Sequence, residues 1–356
     1  MNYRDTLFFI GKCLTINQEA KNLELISHQL KNDEINWESV VKISTSHYVF
    51  PALYHNLKRA NLLSFVPKDL VEYMQHIAQL NGERNQAIIK QVKELKDLLN
   101  EHDINPIFIK GVGFLFQDFY PDIEERMMAD VDFIISEDDY EKAIDIIENF
   151  GYSNVDDFKH HSPTFIHHPR IQKEGCPAAV EIHKEVIIDK FSDEFNYEII
   201  QKNAIEVNGI KVLSYDDQLV LSILANQIND HGYYYKNITL KSAYDVYLLS
   251  KKTNALQSFS KFKRLKHPLN CFLASCYQVF NEVDSLQYKS TPETEKYLED
   301  FNTYLVEDKK RIKYYKKTQK RLSLVRRKDF IMKTIFQKDF RKWFFNDVKG
   351  KIKHKS

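Results

Sequence analysis

Apolar positions recur at helical spacing through the first hundred residues. Leu23, Ile26 and Leu30 keep a period near 3.6, and Val40, Ile43, Tyr48 and Ala52 follow it more loosely. Pro51 and Pro67 punctuate the stretch, and Pro67 stands near a helix start, where proline is tolerated. From residue 68 to about residue 100, Leu70, Met74, Ile77, Ala78, Ile88, Val92, Leu95 and Leu99 predict one long amphipathic helix, or two with a break at Gly82.

The period changes at Asn105-Pro106. The short apolar run Ile107-Phe108-Ile109 leads into Lys110-Gly111-Val112-Gly113 and then into residues 114–120, which reads as strand, glycine turn and short helix ended by Pro121. Residues 127–135 predict a buried strand that carries Asp130 and Asp132. Ser136 and Asp139 form a helix N-cap box, and the helix that follows runs to Gly151. Residues 164–168 and 178–186 predict two strands about the turn Lys173-Glu174-Gly175. Asn208-Gly209 between two short β-branched runs is the strongest hairpin signal in the chain. Ser214 opens a helix to about Asn229, and helix continues from there. The organisation expected is a helical region over 1–103, an α+β core over 104–213, a helical region over 214–306 and a basic helical tail over 307–356.

Composition narrows the class. Apolar residues make up 43% and charged residues 28% of 356, which fits a folded chain and excludes a mainly disordered one. Nine Gly and nine Pro are few, which favours helix over Gly-rich loop folds. No window reaches the roughly 18–20 apolar residues that span a bilayer. The run Leu7-Phe8-Phe9-Ile10 falls short of a secretory signal, and the four cysteines are scattered, so a cytoplasmic protein without disulfides and without a membrane partner is expected. Charge is unevenly spread. Of 51 Lys and Arg and 50 Asp and Glu, residues 307–356 hold 19 and 5, which leaves 32 and 45 for the rest. The basic tail reads foremost as a solvated helical face with the aromatic anchors Phe330, Phe336, Phe340, Trp343 and Phe344; contact with RNA is the lesser reading.

Familiar catalytic motifs are missing: no G-x-x-x-x-G-K-[ST], G-x-G-x-x-G, H-E-x-x-H or G-x-S-x-G occurs. What remains is a constellation. On a strand, residues i and i+2 share a face, so Asp130 and Asp132 project together while Val131 and Phe133 pack the other side. Two carboxylates side by side repel unless a cation lies between them, and hard oxygen ligands suit Mg²⁺ or Mn²⁺. Gly111 and Gly113 in a strand-to-helix turn offer backbone N–H groups to phosphate, with Lys110 and Arg126 as nearby positive charges. Glu181 and His183 share a face of a later strand and add a third carboxylate.

This ordered set resembles the nucleotidyltransferases of the DNA polymerase β superfamily, and more closely the bacterial family of uncharacterised nucleotidyltransferases. Trp37-Glu38-Ser39-Val40, Ile109-Lys110-Gly111, Tyr120-Pro121, Arg126, Asp130-Val131-Asp132-Phe133, Phe150-Gly151-Tyr152 and Val180-Glu181-Ile182-His183 carry the resemblance, over residues 20–250. It implies a small mixed sheet flanked by helices, with Asp130, Asp132 and Glu181 as catalytic metal-holding residues. The implied reaction is Mg²⁺- or Mn²⁺-dependent transfer of NMP from an NTP, ATP being the expected one, to a hydroxyl acceptor, with release of pyrophosphate. The wider superfamily has Gly-Ser where this chain has Gly111-Val112, so the serine's phosphate contact passes to Lys110, the backbone or Arg126. A binding module of the same fold with weak catalysis is the rival reading. A third reading is a zinc site drawn from His160, His161, His167, His168 and His183.

The two strands about residue 174 set a register. Opposite residues sum to about 348, which pairs His167 with Glu181 and points His168 the other way. The carboxylate is then expected to raise the pKa of His167, making it a candidate for acceptor binding or proton transfer.

Overall fold

The computed structural model describes residues 2–155, 166–338 and 340–345. Seven strands are β1 (Ile107–Phe108), β2 (Asp130–Ile134), β3 (Ser153–Asn154), β4 (Ile171–Gln172), β5 (Ala179–His183), β6 (Ile205–Val207) and β7 (Ile210–Val212). They form one sheet in the order β3-β4-β5-β2-β1-β7-β6. The centre pairs β2 with β5 in parallel, and β1 runs antiparallel to β2 and parallel to β7. The sheet is therefore mixed and flanked by helices on both chain sides, an α+β architecture.

Alternation along β2 and β5 sorts residues between two cores. Val131, Phe133, Val180 and Ile182 pack with Ile88, Val92, Leu95 and Leu99 of the helix Lys68–Asn100. The opposite face carries Asp130, Asp132, Glu181 and His183 and ends at Ile134, which joins the larger core. That larger core is built jointly by N-terminal helices (Leu7, Ile10, Leu53) and C-terminal ones (Tyr244, Tyr247, Phe272, Phe280), so the two helical regions close over the sheet together.

Several elements differ from their sequence reading in extent. Of the two readings for residues 68–100 the single long helix, Lys68–Asn100, holds, and Gly82 within it packs closely, since a Cβ there would meet the Glu124 side chain. The helix after the glycine turn stops at Phe116, four residues before Tyr120, and Pro121 lies beyond it. Tyr48 is 55% exposed with φ 58° in the link between the helices Trp37–Ser46 and Phe50–Arg59, and so belongs to neither apolar face. The hairpin at Asn208 (φ 53°) and Gly209 (φ 75°) is as read, with both central residues left-handed. The start of the strand expected over 164–168 lies outside the described residues.

The tail's helix, Asp308–Phe336, buries only Thr318 and Leu322, as a solvated face should. Phe330 packs on Phe340 and Phe344, and Phe340 on Trp343. Phe336 is 74% exposed and packs on no aromatic ring among the described residues.

Candidate active site

Strands β2 and β5 bring the carboxylates together. Parallel pairing sets Asp132 beside Glu181 and Asp130 beside Ala179, on the face away from Val131 and Val180. Arg84, from the long helix, fixes the entry to β2 by donating to the carbonyls of Met128, Ala129 (3.0 Å) and Pro177 (3.2 Å). The carboxylates line one wall of a cleft of about 420 Å³. The cleft is lined as well by Asn226, Asn229 and Asp230 just beyond the helix that Ser214 caps, and by Thr239, Lys241 and Ser242 at the start of the helix Leu240–Ser250. The turn carrying Asn226 and Asn229 is a π-helical segment, Ala225–Asn229, a distortion often found at functional sites.

Two cations lie among the carboxylates. Lys110 Nζ is 2.5 Å from Asp132 Oδ1 and 3.4 Å from Glu181 Oε2. Arg170 Nη2 is 2.7 Å from Asp130 Oδ2, and its Nε donates to Glu181 Oε1 at 3.0 Å. His183 is fully buried behind them, with Nε2 3.0 Å from Asp132 Oδ1 and Nδ1 3.1 Å from the Glu185 carbonyl. Burial favours the neutral form of Glu181, but the hydrogen bond with His183 and the Lys110 ammonium outweigh it and hold Glu181 well below the usual carboxylate range. Asp130 goes the other way. Burial and then the Glu181 charge push it up to about 6, with Arg170 compensating only in part. For Lys110, burial is outweighed by Asp132 and Glu181, and its pKa is raised.

Lys110 issues from a constrained backbone. It has φ 52° and ψ −125° at the cap of the helix Gly111–Phe116, and its carbonyl accepts from Gln218 Nε2 at 2.8 Å. Gly111 lines the cleft, and a Cβ there would collide with Met128 Sδ. Packing thus favours glycine at 111, since a larger residue would need the end of the Met128 side chain to shift. Gly113 packs against Gln218 and does not line the cleft.

Arg126 is placed at the cleft but its charge is committed. It is buried, with Nε 3.0 Å from Asp245 Oδ1 and Nη2 2.8 Å from Asp245 Oδ2, a bidentate pair that the Tyr120 hydroxyl joins at 2.6 Å. Asn81 and Asn85 hold its carbonyl. The unassigned cation of the cleft is Lys241, which forms no ion pair among the described residues and lies over the Tyr48 ring at 5.5 Å. Burial and then the neighbouring Arg126 charge lower its pKa, with Asp245 and Asp132 offsetting only part of that.

His167 reaches the site by a different register. It bridges His183, with ring centroids 4.9 Å apart, and not Glu181. Ile171 opposes Val180, so four steps along one strand match three along the other. This extra residue is a bulge, and it turns both His167 and Arg170 onto the carboxylate face, where an unbroken ladder would have separated them. Burial, and then the neighbouring His183 imidazole, lower the His167 pKa and outweigh Glu181, the reverse of the expected rise. His168 does not line the cleft; its Nδ1 donates to the Pro169 carbonyl at 2.9 Å.

Sequence reasoning missed Arg170, Lys241 and Asp245. Arg170 had a usable signal, since shifting the hairpin sum to 351 places it opposite Glu181. Lys241 and Asp245 had none, being more than 100 residues from Lys110.

Asp132, Glu181 and His183 form one group whose ligand atoms lie within 4.8 Å of one another; His55, Asp122 and Glu124 form a second. The second group is occupied structurally, with His55 Nε2 on Glu124 at 2.9 Å beside the Arg59–Glu125 pair. The zinc reading falls partly outside the described residues at His160 and His161, and His168 stands apart from His167 and His183. Compared with known proteins, a family model described as uncharacterised nucleotidyltransferase matches residues 33–280. None of the curated proteins matches the chain.

Proposed function

The chain belongs to the uncharacterised nucleotidyltransferase family, and from that premise we propose that it transfers a nucleotidyl group from an NTP, ATP foremost, to a hydroxyl acceptor. The observation that carries this reading is the convergence of Asp130, Asp132 and Glu181 from adjacent parallel strands onto a cleft that is also lined by Lys241, which has no ion pair among the described residues. Carboxylates and cations together line a space of nucleotide size, as a metal–triphosphate complex requires. The donor set is hard oxygen with one imidazole, which fits Mg²⁺ or Mn²⁺. Asp130 and Asp132 would hold the metal, with Glu181 beside them, and the metal would supply charge stabilisation at the reacting phosphate.

The residues of the chain do the positioning. Lys241, with the N-terminus of the helix Leu240–Ser250, receives the triphosphate, and Arg126, paired with Asp245, fixes the helix that carries Lys241. An acceptor oxygen bonds to the α-phosphorus, the α–β bridging bond breaks, pyrophosphate leaves, and the acceptor proton passes to a carboxylate of the set. Orientation and neutralisation supply most of the rate.

The test is incubation with NTPs, Mg²⁺ and pooled hydroxyl acceptors, reading pyrophosphate and a nucleotidyl mass gain. Turnover lost in Asp132→Asn supports the reading. Tight ATP binding without pyrophosphate under every condition favours the binding-module alternative.

A further inference from the structure

We infer that this cleft takes one divalent cation, on the Asp130–Asp132 edge, because the Lys110 ammonium already stands in the second cation's place between Asp132, Glu181 and His183. The inference rests on the nucleotidyl-transfer reading and refines how the site meets its metal.

Three carboxylates offer three edges. Two-metal sites hold their ions about 3.5–4 Å apart and spread them over the whole carboxylate set. Here two edges are taken. Lys110 Nζ bridges Asp132 Oδ1 and Glu181 Oε2 and stands 3.5 Å from His183 Nε2, so it touches each member of the ligand group formed by those three residues. Arg170 bridges Asp130 Oδ2 and Glu181 Oε1. Both oxygens of Glu181 are thereby engaged. Among the described residues, Asp130 and Asp132 each keep one oxygen outside these ion pairs, and both residues lie on one face of β2 and line the cleft.

Lys110 is a durable occupant. Its backbone is fixed by the turn and by Gln218, so its side chain starts from a set point. The ammonium is tethered by its own chain, whereas Mg²⁺ must come from solution and sheds water reluctantly. An ion entering between Asp132 and Glu181 would have to expel Lys110 from two carboxylates at once.

The experiment is equilibrium dialysis of the full chain against Mn²⁺ with α,β-methylene ATP, the protein-bound excess being counted by electron paramagnetic resonance. One Mn²⁺ per chain is expected for the wild type, two for Lys110→Met, one for Lys110→Arg and none for Asp130→Asn. Two ions in the wild type, or one in Lys110→Met, overturns the inference and leaves nucleotidyl transfer standing. No saturable Mn²⁺ in the wild type overturns the site reading itself, and the count with it. Should Lys110→Met fail to fold by circular dichroism, the wild-type count alone decides.

Discussion

Two clusters of opposite charge lie side by side in this protein, and they behave differently. Around Arg126, one guanidinium meets one carboxylate in bidentate geometry, both are buried, and Tyr120 fills the remaining valence of Asp245. Around Asp132, three carboxylates meet two cations and an imidazole and line a cleft, with oxygens left outside the ion pairs among the described residues. The first cluster is balanced and closed, which is what a structural tie needs. The second is short of positive charge and open, which is what a cation–substrate site needs. Arg126 and Asp132 are only six residues apart, so it is the partner, not the neighbourhood in sequence, that decides which job a charge does.

The largest effect should separate the two clusters by function. Asp132→Asn is expected to lower pyrophosphate release by roughly 10³-fold or more, about 4 kcal/mol of barrier. Its stability in urea should change by only about 1 kcal/mol, because Lys110 keeps Glu181 as a partner. Carboxylate repulsion gives little relief on its removal, since Lys110 and Arg170 already offset it. Full activity in this variant would make the open cluster structural as well.

Asp245→Asn should show the opposite split. It leaves the Arg126 charge buried and half-paired, at a cost of about 3–5 kcal/mol in urea unfolding. Pairing Asp245→Leu with Arg126→Met should restore most of that loss, and a failure to recover would mean that the tie does more than balance charge.

His47 links the clusters, since its Nδ1 accepts the Leu240 N–H at 3.0 Å and so caps the helix that carries both Lys241 and Asp245. Burial lowers its pKa to about 4. A His with a depressed folded value binds its proton in the unfolded chain first. Its contribution is therefore intact above about pH 6.5, falls as pH drops toward 4, and is flat below, a loss of up to roughly 3 kcal/mol. His47→Gln should flatten this part of the stability–pH curve, measured by unfolding at fixed pH values against the wild type.

The smallest effect concerns the glycine turn. Gly111→Ala forces a methyl onto Met128 Sδ and should cost about 1–3 kcal/mol, with Met128→Ala in the same chain recovering part of it. Recovery of stability without recovery of ATP-analogue binding, read by calorimetry, would give Gly111 a ligand role beyond packing.

Local pattern carried much of the design. The i, i+2 spacing of Asp130 and Asp132, the face shared by Glu181 and His183, the Asn208-Gly209 turn and the Ser214 cap were all legible, because each depends on a few neighbouring residues. The hairpin about residue 174 was legible as a hairpin but not in register. A bulge adds one residue without any strong local signal, and here that residue decides that Arg170 and His167 both face the carboxylates.

By itself, then, the sequence determined the elements, their buried faces and the set of acidic residues able to meet, since periodicity and turn chemistry are short-range. Only the tertiary structure decided which cation stands beside which carboxylate. Lys110 with Asp132, Arg170 with Asp130 and Glu181, and Arg126 with Asp245 join residues 11 to 119 positions apart, and Lys241 is left to the cleft by the same choices. Charges act through space and burial, and neither is ordered along the chain.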